Sequence, residues 1–98
     1  MDITASELKQ KIENNENPFI IDVREDHEYE EQHIDGVKHI PLGALPDRLD
    51  ELEEYKDQEV IVHCRSGARS AAAKAFLQQN GFTNVRNLIG GIIGYTGN

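Results

Sequence analysis

Short β-prone apolar runs alternate along this chain with amphipathic, helix-like stretches. Thr4 followed by Glu7 forms a capping-box pattern and predicts a helix through about Asn14, with Leu8 and Ile12 on one face. Beyond Pro18, the run Phe19-Ile20-Ile21-Asp22-Val23 reads as a buried parallel strand. Residues 26–32 predict a short acidic helix, and Val37-Lys38-His39-Ile40 a short strand stopped by Pro41. Leu45, Leu49 and Leu52, spaced by four and three, predict a further helix. Val60-Ile61-Val62-His63 is the clearest buried strand. The alanine-rich stretch from Arg69 to Gln79 predicts a helix whose Ala72, Ala75 and Phe76 lie close to a sheet, capped by Asn80-Gly81. Val85 to Leu88 reads as a last strand, and a short turn of helix is expected from Gly90.

Strands alternating with helices define an α/β domain with a mainly parallel sheet. Right-handed crossovers then bring all the strand C-termini to one edge, where open α/β sheets bind ligands. Asp22 and Arg24, Ile40 with Pro41, and Cys64 all fall at such ends.

Ninety-eight residues without a repeat, low-complexity tract or linker are expected to form one domain, residues 1–98. No apolar run reaches the roughly 18 residues of a membrane span, and the N-terminus lacks the pattern of a secretory signal, so the expected location is the cytoplasm. Eighteen acidic against ten basic residues give a net charge of −8, a field that repels phosphate backbones and argues against nucleic-acid binding. Much of the acid lies between Glu25 and Glu31 and between Asp47 and Glu59, the pattern of solvated helix faces. The single cysteine excludes an internal disulfide, a CxxC pair and a cysteine-rich zinc site. No metal or other cofactor is expected.

The chemistry concentrates in Val62-His63-Cys64-Arg65-Ser66-Gly67-Ala68-Arg69-Ser70. A cysteine ends a buried strand, a short glycine-bearing loop follows, and a helix begins by Arg69 or Ser70. Backbone N–H groups of such a loop turn inward and cradle an anion. These donors, the helix dipole and two arginines favour thiolate over thiol at Cys64. An inert buried cysteine would have apolar neighbours instead. An ionised sulfur in an anion-binding cup can attack a sulfane sulfur, and the same donors would hold the resulting persulfide.

This loop resembles the active-site loop of single-domain rhodaneses, where a strand-ending cysteine precedes Arg-x-Gly-x-Arg-Ser. Ile20-Ile21-Asp22-Val23-Arg24-Glu25, Glu28-Tyr29, His33-Ile34-Asp35-Gly36-Val37 and Ile40-Pro41-Leu42 resemble the family's first-half signature, and Asn87-Leu88 with Gly90-Gly91-Ile92 its C-terminal one. The similarity runs from about Thr4 to Tyr95. It implies a rhodanese-like α/β fold with a doubly wound, five-stranded, mainly parallel sheet flanked by helices. It also implies a ping-pong thiosulfate sulfurtransferase with Cys64 as nucleophile. A small-molecule donor such as thiosulfate loads the sulfur, and cyanide or a thiol removes it. Residues 65 to 69 form the cradle by position and Ser66, Gly67, Ala68 and Ser70 complete the substrate-binding loop, with Arg65 and Arg69 as candidates for donor recognition. Asp22, accepting backbone hydrogen bonds, is expected to orient the active loop from behind; Arg24 lies near that loop or pairs structurally with an acid. Tyr95 stands where the family usually has tryptophan, and the chain ends at Asn98 where many relatives continue, so a looser C-terminal wall is expected.

Three other readings compete. Cysteine phosphatases of this fold space cysteine and arginine as Cys-x5-Arg, whereas Cys64 and Arg69 are spaced as Cys-x4-Arg, a tighter cup suited to sulfur. Non-catalytic rhodanese-like modules typically lack the cysteine. A dedicated persulfide carrier in a protein sulfur relay would keep the whole loop. Among the histidines, His27 and His39 are expected to have no chemical role and His33 a structural one. His63 is expected to face away from Cys64, because neighbours on a strand point to opposite sides.

Overall fold

Apolar residues follow one another without interruption in the central strands, so both faces of the sheet must be covered. The structure is a computed structural model that describes residues 1–97. Its elements are helix α1 (Ala5–Glu13), strand β1 (Phe19–Asp22), helix α2 (Asp26–Glu31), strand β2 (Lys38–His39), strand β3 (Glu59–His63), helix α3 (Ala68–Gln79), strand β4 (Asn84–Asn87) and helix α4 (Gly91–Thr96). The strands form one parallel sheet in the order β2-β1-β3-β4.

Ile21, Val23, Val60, Val62 and Cys64 pack on one face with Ala73 and Leu77 of α3 and with Leu45 and Leu52. Ile20 and Ile61 pack on the other with Ile3, with Leu8 of α1 and with Ile92 of α4. Among the described residues, no helix is long and apolar enough to cross a membrane.

The sheet has four strands rather than five. Beyond β4, among the described residues, pairing continues only as an isolated parallel bridge between Ile3 and Leu88. Thr4, whose side-chain oxygen accepts the N–H of Glu7, caps α1 immediately after Ile3 and leaves no room for more pairing. Ile12, expected beside Leu8 on the buried face, is exposed.

The segment carrying Leu45, Leu49 and Leu52 forms 3-10 turns, Leu42–Ala44 and Pro46–Tyr55, rather than an α-helix. Leu49, Leu52 and Tyr55 are three apart, so a three-residue turn aligns them toward the core. In α3 the buried residues are Ser70, Ala73 and Leu77; Ala72 and Ala75, expected against the sheet, face solvent. Phe76, the third residue of that expected stripe, does pack against the core; the polar Ser70 belongs to the inward face, which is why apolar spacing alone misplaced the two alanines.

Candidate active site

The parallel register aligns the strand ends. Asp22 lies opposite both His39 and His63, and Asn87 lies opposite Val62. The loops after β1, β2 and β3 therefore open on the same edge.

Cys64 follows β3 and is 1% exposed. Its Sγ accepts the N–H of Gly67 at 3.1 Å and faces the Ser70 hydroxyl at 3.3 Å. Gly67 has φ of +124°, a conformation that side-chain-bearing residues rarely adopt, and this turns its N–H toward the sulfur. Burial pushes the Cys64 thiol up. The Ser70 hydroxyl and the backbone N–H groups of Ser70, Gly67 and Ser66 outweigh it, and the thiol lies below its ordinary value. This is the environment of an anion, not of an inert core cysteine.

Ser70 is itself held. Its one hydroxyl proton is shared between Cys64 Sγ and Asn87 Oδ1, which accepts at 2.6 Å, and Asn87 Nδ2 donates to the Gly67 carbonyl at 3.2 Å. Asn87 was not singled out in sequence for this role, although it is a polar residue at the C-terminal end of a strand, the position that flagged Asp22. Ser70→Ala therefore leaves Cys64 with fewer donors and raises its pKa toward the ordinary thiol value. Alkylation of Cys64 by iodoacetamide should rise with pH through that pKa, with the plateau displaced upward in Ser70→Ala. At neutral pH the rate should fall about tenfold, the worth of one charge-assisted hydrogen bond. An unchanged pH profile would remove Ser70 from the sulfur's environment.

The arginines divide. Arg24 is 4% exposed and grips the fully buried Asp22 through Nη2–Oδ2 at 2.7 Å and Nε–Oδ1 at 3.0 Å, while also donating to the Gln32 carbonyl at 2.7 Å. Burial pushes the Asp22 carboxyl up, but hydrogen bonds from Arg24 prevail and hold it below its ordinary value. Asp22 accepts the backbone N–H of Arg24 at 3.0 Å, so it organises its own loop; no hydrogen bond runs from it to residues 65–70 among the described residues. Arg69 is bound at both ends by Glu28, Nη1–Oε1 at 2.6 Å and Nη2–Oε2 at 2.9 Å. Glu28 belongs to the Glu28-Tyr29 pair of the signature, but no sequence pattern linked it to Arg69 across 41 positions. Arg65 is exposed and has no carboxylate partner among the described residues. Ser66 is exposed on the loop and Ala68 is exposed at the start of α3.

His63 lies on the sheet face opposite Cys64. Its Nε2 is 3.6 Å from Asp22 Oδ2, and burial pushes its pKa down despite the pull of that carboxylate. His33 Nδ1 donates to the Tyr29 carbonyl, 2.8 Å away, and the ring stacks on that of Tyr29. His39, expected to have no chemical role, stacks on the other side of Tyr29 and lies 2.8 Å from the Arg24 carbonyl. A carbonyl oxygen only accepts, so in both contacts the facing ring nitrogen carries the proton. The two histidines thus brace the loop after β1.

The rhodanese-like domain model matches residues 4–98. The chain is 42% identical over 96 residues to the "Putative sulfur carrier protein YrkF" of Bacillus subtilis (strain 168), covering 98% of this chain and 51% of that protein. It is 36% identical over 94 residues to a sulfurtransferase of Allochromatium vinosum, covering 96% of this chain and 86% of that one. The structure superimposes on the crystal structure of a rhodanese-like domain protein from Staphylococcus aureus with a TM-score of 0.88 at 33% identity, covering 97% of this chain and 91% of that one. The chain belongs to the rhodanese-like domain family. Sulfur transfer is the general chemistry these relatives support. This chain spans about half the length of YrkF and most of the Allochromatium protein.

Proposed function

We propose that this protein is a sulfurtransferase that carries a sulfane sulfur as a persulfide on Cys64. The observation that carries this reading is the pair of donors on one buried sulfur, the Gly67 N–H at 3.1 Å and the Ser70 hydroxyl at 3.3 Å, which with the neighbouring backbone N–H groups hold the thiol below its ordinary value. In the first half-reaction the Cys64 thiolate attacks the outer sulfur of a donor, thiosulfate being the simplest. The Sγ–S bond forms, the donor's S–S bond breaks, and sulfite departs with the electron pair. In the second, a thiophile such as cyanide or a thiol attacks the outer sulfur of the persulfide and Cys64 leaves as thiolate. Ser66, Gly67 and Ser70 hold the negative charge in both states, Ala68 completes the loop, and Arg65 supplies positive charge at the mouth, that of Arg69 being compensated by Glu28. Asp22 and Arg24 brace the neighbouring loop.

Intact-mass spectrometry of the reduced protein tests this. Incubation with a sulfane donor should add one sulfur, and cyanide should remove it. A protein that gains no sulfur from thiosulfate, glutathione persulfide or mercaptopyruvate is not a sulfurtransferase of this kind. The similarity to a protein named as a sulfur carrier favours a second reading, in which the persulfide passes to another protein of a sulfur relay. Slow release to cyanide after complete loading would favour that carrier.

A further inference from the structure

Among the described residues one buried side-chain nitrogen has no hydrogen-bond partner, Nε2 of His63. The ring is 0% exposed, on the face of the sheet away from the sulfur. A buried polar atom left unpaired costs stability, and a leucine would fill similar space without that cost. The histidine is accounted for only if its other nitrogen does what a leucine does not.

That nitrogen, Nδ1, lies 3.2 Å from the carbonyl oxygen of Cys64. A carbonyl only accepts, so Nδ1 carries the proton and donates; a proton on Nε2 alone would set two lone pairs against each other across this contact. Facing Nε2 is Asp22, whose Oδ2 is 3.6 Å away, beyond hydrogen-bonding distance. Arg24 takes both Asp22 oxygens, at 2.7 and 3.0 Å, so the pair is close to neutral and draws no proton onto Nε2. α4 carries no charge at neutral pH, its Tyr95 phenol being pushed up by burial. Burial also outweighs the pull of Asp22 on His63 and holds the ring's pKa below its ordinary value, which keeps it neutral.

The Cys64 carbonyl thus has two donors, the His63 ring and the Ile92 N–H at 3.0 Å. Across a trans peptide the Arg65 N–H points opposite to that carbonyl, away from α4 and toward the side where residues 66–70 close around Sγ. We propose that His63 is a positioning residue for Cys64: its Nδ1–H holds the Cys64 carbonyl, and with it the first peptide of the cradle, so that the loop's N–H groups stay aimed at the sulfur. This rests on Cys64 being the reactive sulfur. The residue beside the cysteine then acts through the backbone and not as a base, and at position 63 stability and reactivity pull in opposite directions.

Two variants and one spectrum test this. His63→Leu removes the unpaired nitrogen and leaves the Cys64 carbonyl its Ile92 donor, so the chain should melt no lower than the unmodified one. Iodoacetamide alkylation of Cys64 at neutral pH should nevertheless fall about fivefold, the worth of one neutral hydrogen bond, with its pH inflection displaced upward. His63→Asn sets an amide N–H where Nδ1 stood, and should bring alkylation back to within about twofold of the original rate. In the unmodified chain a long-range proton–nitrogen NMR spectrum at neutral pH, with the ring assigned through its backbone resonances, should show His63 protonated at Nδ1 and bare at Nε2. That spectrum decides the matter should a variant fail to fold. A proton on Nε2 at neutral pH overturns the proposal, as does a His63→Leu chain that alkylates at the original rate. Equal losses in His63→Leu and His63→Asn assign the ring to packing and overturn it as well. None of these outcomes depends on sulfur transfer: a chain that takes up no sulfur while its alkylation follows the expected pattern loses the sulfurtransferase reading and keeps this one.

Discussion

Cys64→Ser should lower sulfur transfer by about 10⁴-fold or more, to the background rate, while the protein stays folded. A serine hydroxyl does not ionise near neutral pH and forms no stable bond to a sulfane sulfur, so both half-reactions lose their carrier. The fold has less to lose. Cys64 is 1% exposed and packs in the core against α3, but the N–H of Gly67 and the hydroxyl of Ser70 that face its sulfur can bond an oxygen equally well. The cost is then the shift from sulfur to a smaller, more polar atom in a satisfied setting, about 1 kcal/mol. For a domain of this size that lowers Tm by about 4–8 °C. Thiocyanate formation and intact mass after donor exposure measure the first effect, and a thermal melt the second. Residual transfer at even a tenth of the normal rate would mean that another group accepts the sulfur.

The position of Cys64 was legible because it obeys local rules: an apolar run ends, a chemically distinct residue follows, then a glycine and a helix start. The α/β class was legible for the same reason, since each strand and helix announces itself within a few residues. What the sequence concealed is long-range. The Glu28–Arg69 pair spans 41 positions and the Asp2 contact to the Asn87 backbone spans 85, and no local spacing encodes either. Arg69 carried the right charge for donor recognition, but its partner decides how much of that charge a donor meets. The 3-10 geometry of Pro46–Tyr55 was hidden because leucines at 45, 49 and 52 satisfy an α-helical period; only Tyr55, adding a second interval of three, separates the alternatives. Pairing beyond β4 stops at a single bridge because strand length depends on where the next helix starts, and Thr4 starts α1 one residue after Ile3.

Gly91→Ala should be the most disruptive single-methyl change in the protein. The first turn of α4 donates the N–H groups of Ile92 and Ile93 to the carbonyls of Cys64 and Arg65, at 3.0 and 3.2 Å. Those bonds fix the direction of the cradle. Across a trans peptide the carbonyl and the following N–H point opposite ways, so holding the Arg65 carbonyl toward α4 aims the Ser66 N–H at the sulfur. The approach is close because residue 91 has no side chain. A Cβ there would sit 2.3 Å from the Arg65 carbonyl oxygen and 2.7 Å from that of Cys64, both backbone atoms that cannot swing aside, and φ is +59°. Left-handed strain of about 1–2 kcal/mol adds to an overpacking cost of about 1–3 kcal/mol, a large share of the stability of a small domain. The active loop must move or α4 must detach. Either way the Ser66 donor is lost, and Cys64 loading in the protein that remains folded should fall about tenfold. Gly90→Ala separates strain from collision. Its φ of +79° carries the same backbone penalty, but the nearest atom to the added methyl is Gly94 Cα at 3.6 Å, an ordinary contact. That variant should lose only about 1–2 kcal/mol and keep normal Cys64 alkylation kinetics. Equal losses of Tm and of thiol reactivity in the two variants would show that α4 merely covers the sheet. A selective loss in Gly91→Ala would make α4 a structural arm of the sulfur-binding loop, because the same backbone contacts that close the fold also point its donors at Cys64.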